Sequence, residues 1–322
     1  FNGNADINQA VTFQNTGALA LGNGADTLTF SGGLTSTSAA TTINGTVQSE
    51  GGAITLGNVT LGGATAISTN VNAPAGAALS IGGVTGGANT LTLNAGTGGA
   101  LSTGAIDNVT TLTVTDSGST SVNGAVTTTP TITITDTTGN VTFGAAVTST
   151  TVTLTNLGGT ATFLGALTAT TLNTAAQPYG VVLNGGTITN AATFSNTGGL
   201  TVNGATTFTG GLTSTAGTTN VGANITTTNT AISLGAVNVT GSATIDAGTG
   251  AAADITIASV SSGNGSNLTL DAGNDAGAAL SITGAVSGVG TLTVTDSGTT
   301  TFAGPVTAGT VAITDSTTSV TF

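Results

Sequence analysis

Residues 111–130 read TLTVTDSGSTSVNGAVTTTP, 131–150 read TITITDTTGNVTFGAAVTST, and 151–170 read TVTLTNLGGTATFLGALTAT. In the first block Leu112 and Val114 alternate with Thr111, Thr113 and Thr115, which puts the aliphatic pair on one face of a strand and the threonines on the other. Asp116-Ser117-Gly118 follows as turn chemistry, in which the Asp bonds its own backbone and the Gly supplies a positive φ. A second short strand ends at Val122, Asn123-Gly124 turns the chain again, and Ala125-Val126 opens a third. The later corner recurs as Phe163-Leu164-Gly165-Ala166, Val202-Asn203-Gly204-Ala205 and Phe302-Ala303-Gly304-Pro305.

Three strands and three corners in about 20 residues describe one coil of a parallel β-helix, because stacked coils pair each strand with its equivalent about 4.8 Å away. Antiparallel hairpins explain single units through their Asn-Gly turns, but not a constant period in one register. The expectation is therefore an all-β parallel β-solenoid over 1–322, with ~16 coils in a rod on the order of 75 Å long. The crossover rule for parallel strands makes it right-handed. No helix is expected. A longer period overlies the short one. TLTVTDSG at 111–118 returns at 291–298, GLTST at 33–37 returns at 211–215, and AITLG at 53–57 returns as AISLG at 231–235. The chain is thus read as one continuous solenoid with a long internal repeat, 1–181 and an incomplete 182–322, and as a piece of a longer array. Residues 70–90, 171–180 (with Gln177-Pro178-Tyr179) and 271–290 break the register and are expected as longer corners or loops, with Tyr179 as their exposed aromatic.

Among 322 residues there is no Lys, Arg, His, Cys, Met or Trp, against 12 acidic residues and 52 glycines. No side-chain salt bridge is possible, so cohesion rests on apolar packing and the backbone ladder. A mean hydropathy of +0.39 and the alternating Thr, Val, Ile and Leu exclude disorder. Without basic residues the chain has nothing to neutralise phosphates, which excludes nucleic acid, and nothing to hold an anionic bilayer surface. No apolar run approaches the ~20 residues of a spanning helix, and no signal peptide is visible. The absence of cysteine leaves the redox compartment unread, and the absence of Lys and Arg removes every trypsin site.

Stacked coils turn equivalent residues into ladders: Asp116, Asp136, Asn156 and Asn196 share the sixth place of their units, with Asp296 and Asp315 at the matching place later. Phe143 and Phe163, 20 apart, are expected ring over ring in the core. Catalysis lacks the usual bases and nucleophiles. Paired carboxylates such as Asp116 and Asp136 remain, at about the 5 Å of a retaining glycosidase, but the grip of basic and aromatic side chains on a sugar is missing. The chain is read as no enzyme and as needing no cofactor. Ca²⁺ is the ion that oxygen-only ligands suit, with Asp116, Asp136, Asp296 and Asp315 as candidates and Asp271 and Asp275 as a further pair; solvated corner carboxylates are the plainer reading. Thr113/Thr115, Thr133/Thr135 and Thr153/Thr155 form T-x-T pairs in three successive coils, a pattern resembling ice-binding solenoids, although threonine is favoured on any exposed strand face. Asn-x-Thr triplets at Asn58, Asn108, Asn140, Asn238 and Asn267 are read as chance.

NVTFGAAVTSTTVTLTN at 140–156 and GLTVNGATTFTGGLTST at 199–215 resemble the Gly/Thr/Asn/Val-rich repeats of filamentous-haemagglutinin-type and autotransporter-type bacterial surface proteins. The resemblance implies a secreted, right-handed β-helical stalk within a very large adhesin, located outside the cell or on its surface. The expected function is a structural rod or fibre segment whose partner is itself, end to end or as continuation of the same chain. The alternative is an adhesin module that meets a host surface or carbohydrate through its loops. An ice-binding threonine array and a carbohydrate-active enzyme stand behind these two.

Overall fold

A computed structural model describes residues 1–38 and 40–322, and every regular element among them is a β-strand. The chain forms two compact units, Phe1–Gly165 and Ala166–Phe322. In each unit the strands named in the register pair parallel to their equivalents one coil later, so the fold is the parallel β-solenoid that the short period predicts.

In the first unit one ladder of facing residues runs Ala5, Leu28, Val47, Ile67, Leu93, Val114, Ile134, Leu154. These eight rungs are spaced 19 to 26 residues apart. A second ladder runs from Phe13 through Leu56 and Ile81 to Val122, Phe143 and Phe163. A third joins Leu19, Thr41, Val59, Val84, Ile106, Val126 and Val147. The second unit repeats the scheme, with one ladder of eight rungs running Leu167, Gly186, Thr206, Ile225, Ile245, Leu270, Val294, Ile313. Two sets of eight rungs make the about sixteen coils expected from length and period.

Almost every inward position is aliphatic and fully buried, as at Leu112, Ile132 and Val152. The chain buries them by strict alternation, outward hydroxyl against inward aliphatic. Where hydroxyls do enter the interior they satisfy one another at the corners. Ser117 Oγ lies 2.8 Å from Thr120 Oγ1 and 2.9 Å from Thr137 Oγ1. Ser38 Oγ sits 3.0 Å from both Ser36 Oγ and Thr41 Oγ1. Pairing of this kind is what makes a buried polar group tolerable.

Two local expectations are corrected. The first concerns Asp116-Ser117-Gly118, which is no turn: the strand Ile106–Val122 runs through it, and Ser117 is buried there. Gly118 does not take a positive φ. It is needed for close stacking, since a Cβ at that position would stand 2.8 Å from the backbone of Gly98 in the preceding coil. The expected side-chain closure onto a positive-φ glycine occurs elsewhere: within the strand Val84–Thr103 at Asn94-Ala95-Gly96, where the register shifts, and at the corners Asp246-Ala247-Gly248 and Asp271-Ala272-Gly273. There the side-chain oxygen accepts the glycine N–H at 3.0, 2.7 and 2.9 Å, and the glycine φ is 75, 95 and 79°. The middle residue separates the two forms. A buried Ser with hydroxyl partners keeps the corner extended, whereas Ala leaves the preceding Asn or Asp to close it.

The second correction concerns the breaks in register, which are shorter than expected. About half of 70–90 and of 271–290 is strand, including Leu79–Ile81, Ala279–Ile282 and the start of Val84–Thr103. The irregular stretches are the corners 70–78, 175–179 and 272–278. Extra residues are absorbed at corners because the strands must keep pairing with the coils on either side.

Candidate functional site

Carboxylates and amides gather in columns at one corner of the coils. In the first unit Asn94 pairs with Asp116, and Asp136 pairs with Asn156, whose Nδ2 donates to Asp136 Oδ1 at 3.2 Å. Burial pushes the Asp116 carboxyl above its usual range, and the charge of Asp136 adds to the shift. One Asp116 oxygen, Oδ1, is buried with no hydrogen-bond partner. In the second unit Asp246 pairs with Asp271. Asp271 is likewise raised, first by burial, then by the charges of Asp246 and Asp296. Asp315 follows the register of Ile313 with Val294, two residues beyond the pair, which brings it to the level of Asp296. Asp275 stays apart on an exposed corner, where its Oδ1 caps Gly277 N–H at 2.9 Å. Among the described residues no three acidic side chains form a group fit to hold a metal ion.

Asn196 does not belong with Asp116, Asp136 and Asn156. It is fully buried, and its Nδ2 donates to the carbonyls of Tyr179 at 3.0 Å and Gly199 at 2.8 Å. Tyr179 is not the exposed loop aromatic that the broken register suggested. It is the largest fully buried side chain, and its hydroxyl accepts the Ala175 N–H at 2.8 Å. The corner at 175–179 folds its own aromatic ring inward, because an isolated ring gains more from burial than from display.

Phe143 and Phe163 stack face to face, with centroids 4.9 Å apart and planes within 5°. The threonine array is one column wider than expected. Thr113, Thr133 and Thr153 are in register on a flat strand face. Thr115, Thr135 and Thr155 are exposed on the same face, at the last outward step before the alternation changes. Thr111, Thr131 and Thr151 add the further column, and the array extends one coil further through Thr90 and Thr92. The result is a grid three threonines wide over three coils and two wide over a fourth.

Sequence reading missed one structural device altogether. Asn140 Oδ1 accepts the N–H of Thr160, Asn224 Oδ1 that of Thr244, and Asn267 Oδ1 that of Thr291, each at 2.9 Å. Asp254 does the same for Ala279 at 2.8 Å. Each side chain thus satisfies a backbone N–H of the next coil. The signal was present: Asn140 and Asn267 stand directly before a strand, in NVT and NLT triplets that were read as chance. Exposed Asp107 accepts from Thr127 and Thr128 hydroxyls at 2.7 and 2.6 Å, and those bonds hold its carboxyl below the usual range.

In comparison with known proteins, no family model, no curated protein and no solved structure matches the chain. No helix among the described residues is long and apolar enough to cross a membrane.

Proposed function

We propose that the chain is a structural, non-catalytic rod segment of a large secreted bacterial surface or filament protein. The observation that supports this reading most directly is the parallel coil-to-coil pairing that continues through each unit, with register shifts taken up as local irregularities between paired stretches. Every coil gives its main-chain bonds to the next, so length grows with coil number and stability is roughly a sum of nearest-neighbour terms. Buried hydroxyl pairs and corner asparagines do in this chain what charged surfaces and disulfides do elsewhere. The acidic surface, without Lys or Arg, keeps the rod away from anionic envelopes and gives trypsin nothing to cut.

Its partner in this reading is another coil of the same kind. Val311, Val320 and Phe322 are 39, 40 and 71% exposed, and the strand Ser319–Thr321 is exposed throughout. Negative-stain images of the native surface protein test the proposal. Thin rods of constant width are expected, and compact globular particles would overturn it. An adhesin acting through loops loses its main support with Tyr179 buried.

A further inference from the structure

On the outer face of the first unit Thr46, Ala66, Thr92, Thr113, Thr133 and Thr153 stand one above the next. The one methyl among hydroxyls, Ala66, leaves a hollow of about 480 Å³. Ala64 and Ala66 line its middle coil, and Ala25 lines it one coil beyond Asn44 and Thr46. Asn44 and Thr46 line it on one side, and Thr90 and Thr92 on the other. The two threonine rows are two strand spacings apart, roughly 9–10 Å. Gly63 is part of the construction, because a Cβ there would run into Asn44 Oδ1. The glycine leaves room for that amide over the strand. No lining residue is charged, although the chain carries a net charge of −12.

We propose that this trough binds one ring of a neutral hexopyranose polysaccharide. An ionic ligand would lose hydration and find no countercharge, and an aromatic ligand would find no ring to stack on. A hexopyranose presents C–H groups on its ring face and hydroxyls around its edge. The methyls of Ala64 and Ala66 meet the first, and the Asn44 amide and the hydroxyls of Thr46, Thr90 and Thr92 meet the second. Three bridging hydroxyls and an amide on a rigid sheet need little ordering to bind. The site lies on strands, whereas the sequence directed attention to loops. It does not rest on the rod reading, and microscopy that overturned the rod would leave it standing.

Affinity electrophoresis in native gels containing soluble mannan, dextran, mixed-linkage β-glucan or galactan, with polygalacturonate as the anionic comparator, tests it. At least one neutral polymer is expected to retard the protein, and polygalacturonate is not. Ala66→Thr completes a column that already accepts threonine on both sides, so the fold should persist by circular dichroism while the apparent affinity drops about tenfold or more. Asn44→Ala is expected to weaken binding several-fold, and Thr142→Ala, on another face, to leave it unchanged. Retardation by none of the neutral polymers, or retardation of both Ala66→Thr and Asn44→Ala equal to that of the unmodified chain, would overturn the proposal.

Discussion

Residues 111–122 and 291–302 begin with the same eight letters and sit in different units. Both place Leu112 or Leu292 in the core and bury Ser117 or Ser297 against a threonine three residues on, at 2.8 and 2.7 Å. The octapeptide therefore buries the same residues in both settings, although the strand that runs on through 116–118 to Val122 in the first copy ends at Val294 in the second. What differs is set by the coils above and below. Ser117 has a second hydroxyl partner in Thr137, and among the described residues no such bond reaches Ser297. Asp116 has Asn94 on one side and Asp136 on the other, whereas Asp271, in the coil beside Asp296, feels the charges of both Asp246 and Asp296. Val122 ends its strand beneath Phe143, but Phe302 itself stacks on the largely exposed Phe322, at 5.0 Å and 17°. Equal sequence gives equal rungs, and unequal neighbours give unequal energies.

The largest break in that comparison should come from the rings. Phe143→Ala empties a fully buried site and is expected to cost ~3–5 kcal/mol in denaturant unfolding. Phe302→Ala should cost less, because its stacking partner keeps much of its surface in water. A double cycle of Phe143 and Phe163 should show coupling of about 0.5–1.5 kcal/mol; strict additivity would deny the stack any energy of its own. Next in size is Ser117→Ala, which strands two buried hydroxyls and should destabilise by about 1–3 kcal/mol. Ser297→Ala strands one, so the same measurement should give a smaller loss. If the two losses are equal, the coil-to-coil bond to Thr137 carries nothing.

Charge should sharpen the contrast more gently. Asp271→Asn removes a carboxylate flanked by two others and should stabilise the second unit by about 0.5 kcal/mol at pH 7 and low salt, after allowance for solvent screening. Asp116→Asn, with one charged neighbour, should help less. The pH dependence has a definite sign. A carboxyl whose folded value is raised gives stability that is fully present below the ordinary value of about 3.9 and is lost as pH rises through the raised one. Asp116 and Asp271 should thus make the protein more resistant to denaturant in mild acid than at neutrality. Glu50 and Asp107, held low by hydrogen bonds, act the opposite way, with stability lost as pH falls. Melting curves at pH 4 and pH 7 for the unmodified chain and for the two Asp→Asn variants together would decide. A difference between the two pH values that survives in the double variant would remove these two carboxyls as its cause.

Much of this architecture was legible from the repeated blocks. The 20-residue period carried strand direction, the inward aliphatic pairs and the Phe143–Phe163 stack, because stacking equal units leaves each residue over its equivalent. The corners were less legible. Asp116-Ser117-Gly118 and Asp271-Ala272-Gly273 look alike as turn signals, yet only the second closes as a turn, since the first has a Ser that prefers a hydroxyl partner inside. Tyr179 and Asn196 were misjudged because a single aromatic in an irregular stretch carries no period from which to read its direction. The threonine grid was read one column short, because the T-x-T pairs were counted from Thr113 onward although Thr111, Thr131 and Thr151 stand in the same register.

By itself the sequence determined the coil, its length and what lies inside it, because alternation and period are local properties that every neighbouring coil reinforces. Tertiary structure alone decided which hydroxyls meet in the interior, which carboxylates repel and where Ala66 opens a hollow among threonines. Those outcomes depend on register between residues 19 to 26 apart, and that register is settled only when the whole ladder has closed.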